Sequence, residues 1–344
     1  MGRPQRGVGA VATQVAAVPG ADPTGVLNRY ALPKVAMVLI ATAAAVGTVL
    51  STAIGPDAMG YAAAVARYLL LMGLATADGG LLWAWKVVMP AARQMGGGAS
   101  ERYALRQWTM FRRLERLAFA VSAAALAALA PAYWVAPPLG RGAERLVLGL
   151  AAIALVLWGA TLRSRPAPTT DAAGHEALKT LAVVTLLLVA VGALQVGYGA
   201  PVVRVELLWR TLHLAAFAAW FGGAVWNVGI AVRCARQDLS VAVVRTAHVQ
   251  LARFRRIVRV AFPLLVVTGL LQVWQHGGFY ASALAGSFDH LAAVKLGVAL
   301  LLVVVFISCP LWHACSPIAG ICDPRDLPGG RGSGGSESGT HAAT

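Results

Sequence analysis

Eight long apolar runs divide the sequence and limit its possible folds more than any other feature. A helix needs about 20 apolar residues to cross the roughly 30 Å of hydrocarbon in a bilayer. Each run approaches or exceeds that length, and none alternates between apolar and polar residues as barrel strands do. The sequence therefore predicts an all-α polytopic membrane protein with eight transmembrane helices. The predicted spans are 35–54, 64–89, 117–135, 146–162, 178–198, 207–232, 257–275 and 292–312.

The charged residues indicate how these spans are oriented. Only 12% of the residues are charged, whereas soluble proteins carry about 25%. The net charge of +15 could suggest nucleic acid, but the basic residues flank the apolar runs. With the N-terminus inside, the inner segments hold 23 of the 29 Lys and Arg residues. We therefore expect a multi-pass protein of the plasma (inner) membrane, with both termini cytoplasmic, the lipid bilayer as partner and no nucleic acid. The inner segments are 1–34, 86–116, 163–179, 233–259 and 313–344.

The segments outside the spans are polar or rich in small residues. Residues 1–34 are predicted to form a cytoplasmic tail that is mostly disordered, and 163–177 a cytoplasmic linker. Residues 313–344 are predicted to form a second disordered cytoplasmic tail, because the Gly- and Ser-rich end has no apolar run. The two remaining membrane units are 35–162 and 178–312.

A repeated phrase relates these two units. The sequence FRRLERLAF at 111–119 returns as FRRIVRVAF at 254–262, 143 residues later, with six of nine positions identical. At the same offset, Trp83 aligns with Trp226. We predict two four-helix repeats that enter the membrane from the same side, related by an axis along the membrane normal. The basic phrase is predicted to be the inner loop that leads into the third helix of each repeat.

Paired glycines also recur at this offset. Gly79 and Gly80 align with Gly222 and Gly223. Small residues let helix backbones approach closely in lipid, where packing drives helix association. We predict that these four glycines are structural residues of the repeat.

The two units differ at positions that carry chemistry. Leu70 in the first unit corresponds to His213 in the second, and Asp78 corresponds to Phe221. The four cysteines all lie in the second half of the sequence, two of them in the second unit and two in the tail that follows it. An ionisable group inside a span is costly and is a functional candidate. The second unit is therefore predicted to be the chemically specialised one.

Three histidines of the second unit are predicted to converge near the outer membrane face. They are His213 inside the sixth span, His276 at the end of the seventh and His290 at the start of the eighth. Neutral imidazole is a common ligand of copper and zinc. The alternative is that His276 and His290 are ordinary loop residues and that His213 bonds a neighbouring helix. A transport path is predicted along Asp78, Trp220 and Gln272.

A weaker candidate site lies at the inner end of the eighth span. Cys309 and His313 are four residues apart, and Cys315 follows two residues later. Thiolates with an imidazole select Cu(I) or zinc. The alternative is that Cys309 is a buried small apolar residue and that the tail thiols are incidental.

Several enzyme and cofactor motifs are missing from the sequence. It contains no Walker A loop, no GxSxG element and no HExxH element. We therefore expect a protein that is not an enzyme and that uses no nucleotide.

Three stretches of the second unit resemble the copper resistance D (CopD/PcoD) membrane-protein family. They are LWRTLHLAAFAAWFGGAVW at 208–226, RFRRIVRVAFPLLVVTGLLQVW at 253–274 and LAAVKLGVALLLVVVFI at 291–307. The resemblance implies eight spans and copper handling at the inner membrane, as uptake toward the cytoplasm. It also implies that His213 is the intramembrane histidine of the motif. The expected ligand is a copper ion, delivered by a periplasmic or extracytoplasmic copper carrier.

Two other functions are compatible with the sequence. Four-helix membrane units can hold b-type haem, which needs two axial histidines facing each other at one depth. A membrane scaffold subunit without a ligand is the third possibility.

Overall fold

The computed structural model describes most of the two membrane units. It describes residues 23–49, 52–53, 59–135, 141–164, 167–194, 203–275, 296–298, 300, 301 and 304. The elements in these ranges are helices, which confirms the all-α class. They are α1 Pro23–Val49, α2 Tyr61–Trp83, a π-helical segment Ala84–Val88, α3 Met89–Met95, α4 Gly98–Val135, α5 Arg141–Thr161, α6 Thr170–Ala193, α7 Val203–Val225, a π-helical segment Trp226–Ala231, α8 Val232–Arg236 and α9 Val241–Gln275.

Several of these helices are suited to lipid. Four stretches are long and apolar enough to span a membrane, and two shorter apolar helices match the predicted first and fourth spans. The predicted seventh span lies within α9. The predicted eighth span lies largely outside the described residues. The four long stretches are Tyr61–Met95, Gly98–Trp134, Thr170–Ala193 and Val205–Arg236, and the shorter helices are Met37–Val49 and Arg145–Thr161.

Large apolar side chains cover part of the outer surface of the bundle. On α5, Leu146 is 65% exposed and Val156 is 71% exposed. Val260 on α9 is 68% exposed. An extended apolar surface of this kind is costly in water but is compatible with a lipid environment.

The prediction that the basic phrase forms a loop is wrong. Helix α4 has 38 residues and includes 111–119, and α9 has 35 residues and includes 254–262. At 1.5 Å per residue α4 is about 57 Å long, which exceeds the thickness of the hydrocarbon. Charged residues end an apolar run without ending a helix, because Arg, Glu, Leu and Ala all favour helix and no Gly or Pro interrupts 99–130.

Two of the helices, α2 and α7, each continue directly into a π-helical segment. A π turn leaves backbone carbonyls without their usual partners. The Arg253 guanidinium on α9 donates to the carbonyls of Lys86 and Val87 at 3.4 and 3.5 Å. Tyr103 on α4 donates its hydroxyl to the Ala231 carbonyl at 3.1 Å. Each π segment is therefore supported by a side chain distant in sequence.

Helices α2 and α7 cross in backbone contact at the glycine pairs. A Cβ added at Gly79 would lie 1.8 Å from the carbonyl oxygen of Ala218. A Cβ added at Gly222 would lie 2.5 Å from the Cα of Gly79. These separations are far below van der Waals contact, so no side chain fits at either position.

Aromatic rings surround this crossing in two similar sets. Phe111 on α4 packs over Gly80 and lies 4.8 Å from Trp226, measured between ring centroids. Phe254 on α9 packs over Gly223 and lies 5.0 Å from Trp83. Phe111 and Phe254 are 143 residues apart, as are Trp83 and Trp226. In each set the Phe and the Trp come from different halves of the sequence.

Two buried glutamines meet next to these rings. Gln107 on α4 donates its amide to Gln250 on α9 at 3.4 Å, and these residues are also 143 apart. Trp226 donates its indole N–H to the side-chain oxygen of Gln107 at 2.6 Å. The hydrogen bonds therefore join α4, α9 and the segment after α7 inside the core.

Candidate functional site

His213 lies on α7 and is held by the facing helix α9. Its Nδ1 is 3.0 Å from the Thr268 hydroxyl oxygen, which is itself 2.6 Å from the carbonyl oxygen of Leu264. A hydroxyl has one hydrogen, and Thr268 donates it to the carbonyl. The Thr268 oxygen can therefore accept from His213 in the tautomer that carries the proton on Nδ1. In either tautomer the contact fixes the orientation of the imidazole ring.

The backbone of α9 also shapes the place of the His213 ring. A Cβ added at Gly269 would lie 3.3 Å from the ring Cε1 of His213, so glycine allows the ring to lie against the helix. Thr268 is fully buried. Gln272 donates its side-chain amide to the Thr268 carbonyl at 3.2 Å. The contact between His213 and Thr268 agrees with the alternative in which His213 bonds a neighbouring helix. Metal-ligating histidines are commonly oriented by a hydrogen bond of the same kind.

The other predicted metal ligands are not placed by the structure. His276, His290, Cys309, His313 and Cys315 lie outside the described residues. Within the described ranges, no three His, Cys, Asp or Glu side chains are grouped to hold a metal ion. The convergence of the three outer histidines and the inner thiol site therefore stay predictions.

Asp78 occupies a different place from His213. Its side chain is buried on α2 and accepts a hydrogen bond from the Thr185 hydroxyl of α6 at 2.6 Å. Asp78 precedes Gly79, which contacts Gly222 at the helix crossing. His213 lies nine residues before Gly222, about 13 Å further along α7. The two ionisable side chains therefore lie at different depths in the bundle.

Trp220 and Gln272, the other residues of the predicted path, lie at the interface between α7 and α9. Trp220 is buried, and its ring meets the edge of Phe262 with 5.3 Å between centroids. Gln272 bonds the carbonyl of Thr268, whose hydroxyl bonds His213. The structure therefore links Gln272 to His213 through one residue, whereas Trp220 lies two turns away along α7.

A buried ionic network on α4 was not anticipated from the sequence. The Arg112 guanidinium contacts Glu115 at 2.6 Å, Glu176 at 3.2 Å and the Thr161 carbonyl at 2.7 Å. Trp158 on α5 donates its indole N–H to Glu115 at 3.0 Å. The network connects α4, α5 and α6 beside the basic phrase at 111–119.

Some of these partners could have been found in the sequence and others could not. Thr268 and Gly269 form the Thr-Gly pair that carries part of the family resemblance, and Gln107 and Gln250 match at the repeat offset. No local pattern points to Thr185 as the partner of Asp78, because the two residues are 107 positions apart.

Comparison with known proteins adds no family to this description. The chain matches no protein-family model, no curated protein and no solved structure. Fold and composition define the class as an all-helical protein with several helices long and apolar enough to cross a membrane.

Proposed function

We propose that the chain consists of two four-helix repeats related by a twofold axis that runs parallel to the helices. The contacts between equivalent positions support this arrangement: Gly79 meets Gly222, and Gln107 meets Gln250. The reciprocal Trp–Phe pairs have the same symmetry. Equivalent residues that meet on two pairs of helices favour a parallel repeat, in which both halves enter the membrane from the same side.

The proposed protein spans the plasma membrane eight times, with both termini in the cytoplasm. The exposed apolar side chains of α5 and α9 would then face lipid. The basic first half of α4 and of α9 would lie at the cytoplasmic interface, where positive charge is retained.

We propose that the protein handles copper ions and takes them up at His213. The observation that supports this proposal is the hydrogen bond between His213 Nδ1 and Thr268, which fixes the orientation of the imidazole, as commonly found for metal-ligating histidines. His276 and His290 would complete the site. An extracytoplasmic copper carrier would supply the ion, and no nucleotide or catalytic step is involved.

The proposed path leads from His213 toward Cys309, His313 and Cys315. The contact between Gly79 and Gly222 leaves no space between α2 and α7 at the crossing. The ion would therefore enter beside Gln272, on the outer side of His213, and pass inward along the α9 side of α7, beside Trp220. Asp78 would neutralise positive charge from its position next to the crossing.

Cellular copper content tests this function. Cells that express the wild-type protein should accumulate more copper than cells that express His213→Ala. The matched control is His175→Ala, because His175 is exposed near the start of α6. Equal copper content for the wild-type protein and His213→Ala, at equal expression, would contradict the proposal.

The absorption spectrum of the purified protein distinguishes the other two functions. A Soret band would identify a haem carrier, although the position equivalent to His213 is the buried Leu70 and cannot supply an axial ligand. A protein with neither a Soret band nor bound copper would be a scaffold subunit.

A further inference from the structure

Arg255 on α9 has an unusual environment for a charged side chain. Its Nε and Nη2 atoms are buried and have no hydrogen-bond partner among the described residues. Burying a charged donor without an acceptor costs free energy, so such groups normally contact an anion or several oxygens. The two unsatisfied atoms lie on the same edge of the guanidinium. That edge fits two oxygens of one carboxylate or phosphate group.

The equivalent arginine in the first half is fully satisfied. Arg112 lies 143 residues before Arg255, and it contacts Glu115, which is three residues further along α4. The residue three positions after Arg255 is Val258, which is buried and apolar. The second half therefore has the cation without the carboxylate that Glu115 supplies in the first half.

Arg255 also lies where a basic surface meets an apolar one. Arg256 and Arg259 are exposed on the same helix. The exposed apolar positions begin immediately afterwards with Val260 and continue with Val267, which is 53% exposed. A phospholipid at this boundary would place its phosphate beside the arginines and its acyl chains along the apolar face.

The neighbouring Arg253 is engaged in a different way. Its guanidinium bonds the carbonyls of Lys86 and Val87 and the side chain of Gln94. Arg253 therefore supports the π segment, whereas Arg255 has two buried nitrogens without a partner among the described residues.

We propose that Arg255 binds the phosphate group of one anionic phospholipid, whose oxygens take the role that Glu176 and the Thr161 carbonyl have beside Nη2 of Arg112. The Arg255 side chain is partly exposed, and it turns toward the membrane face so that the lipid phosphate accepts from its Nε and Nη2 edge. Arg256 and Arg259 add positive charge that favours an anionic headgroup over a zwitterionic one. This site is independent of the proposed copper site.

Native mass spectrometry of the detergent-solubilised protein tests the proposal with phosphatidylglycerol as the probe. The wild-type protein should retain one phosphatidylglycerol molecule in preference to phosphatidylcholine. Arg255→Gln should weaken that binding by about tenfold or more, because it removes a charge-assisted bidentate contact. The matched control, Arg245→Gln, changes an exposed arginine of α9 outside the proposed site and should weaken it by about twofold at most.

A second variant restores the carboxylate. In Val258→Glu, the new side chain can pair with Arg255 as Glu115 pairs with Arg112. This variant should lose the bound phosphatidylglycerol while it keeps a cooperative thermal transition. It also keeps the proposal testable if Arg255→Gln does not fold.

Three results would overturn the assignment. The first is wild-type affinity for phosphatidylglycerol in Arg255→Gln, and the second is retained lipid in folded Val258→Glu. The third is a full thermal stabilisation by inorganic phosphate alone, which would identify a soluble phosphate rather than a lipid as the ligand.

Discussion

Helices α4 and α9 occupy equivalent places in the proposed repeat, but they use the same basic phrase differently. On α4, Arg112 contacts two glutamates and a backbone carbonyl. On α9, the equivalent Arg255 has two buried nitrogens without a partner in the described part of the chain. The first half satisfies its charge internally, whereas the second half leaves donors for a ligand.

The same contrast holds at the central helices. Leu70 of α2 is an apolar core residue, and its equivalent on α7 is His213, which is oriented by Thr268. Positions that pack the two halves together have kept their residue types, as Gly79 and Gly222 show. The two halves thus share residues that pack them together and differ at positions such as Leu70 and His213.

The largest expected effect comes from the packing positions that the halves share. Gly79→Ala and Gly222→Ala should both prevent correct folding, because each new Cβ would overlap backbone atoms of the other helix. Size-exclusion profiles and thermal transitions of the detergent-solubilised protein measure this effect. Gly149→Ala is the control, since nothing lies within 4 Å of its added Cβ. A wild-type transition for Gly79→Ala would argue against the close crossing.

The ionic network gives the next largest expected effect, and it is confined to the first half. Glu115→Ala leaves Arg112 buried with fewer partners, so it should reduce the free energy of unfolding by about 3–5 kcal/mol. The equivalent change in the second half, Val258→Ala, removes only buried methyl groups and should cost about 1–2 kcal/mol. Chemical denaturation in mixed micelles compares the two variants. Equal losses would remove the distinction between α4 and α9.

The hydroxyl that orients His213 gives a smaller effect, measured as metal affinity. Thr268→Val removes the hydroxyl that bonds Nδ1 of His213 and should weaken Cu(I) binding by about 10- to 100-fold, as loss of an orienting partner commonly does. Competition with a chromogenic Cu(I) chelator measures this change. Thr109→Val is the control, because that exposed threonine bonds only its own helix. Unchanged affinity in Thr268→Val would mean that Thr268 does not position the ligand.

The glutamine pair should give the smallest effect and an asymmetric one. Gln107→Leu leaves the Trp226 indole N–H without its acceptor and should cost about 1–3 kcal/mol of unfolding free energy. Gln250→Leu removes only a long hydrogen bond of 3.4 Å and should cost about 1 kcal/mol or less. Thermal or chemical unfolding of the two variants shows whether the asymmetry is real. The reverse order would indicate that Trp83, rather than Trp226, bonds the glutamine pair.

The sequence predicts the helical class and the location of most helices, because apolar runs and membrane thickness constrain both. It does not predict the length of α4, since Arg112 and its charged neighbours end the apolar run while they continue the helix. The π segments depend on Arg253 and Tyr103, which are distant in sequence from the carbonyls they support. No local sequence pattern indicates contacts between residues so far apart in the chain.

The candidate site was predictable only in part. The position of His213 inside an apolar run identifies it as a candidate functional residue, because an ionisable side chain inside a membrane span costs free energy. Its orientation depends on Thr268, which is 55 residues away on another helix. That pairing follows from how α7 packs against α9, and a hydropathy pattern does not specify it.

The most direct test of the central claim is the Cu(I) stoichiometry of the purified protein, measured by elemental analysis together with X-ray absorption at the copper edge. The proposal predicts one copper ion per chain at the outer site with nitrogen ligands, and loss of that ion in His213→Ala but not in His175→Ala. Copper bound equally by His213→Ala, or no copper bound by the folded wild-type protein, would contradict it.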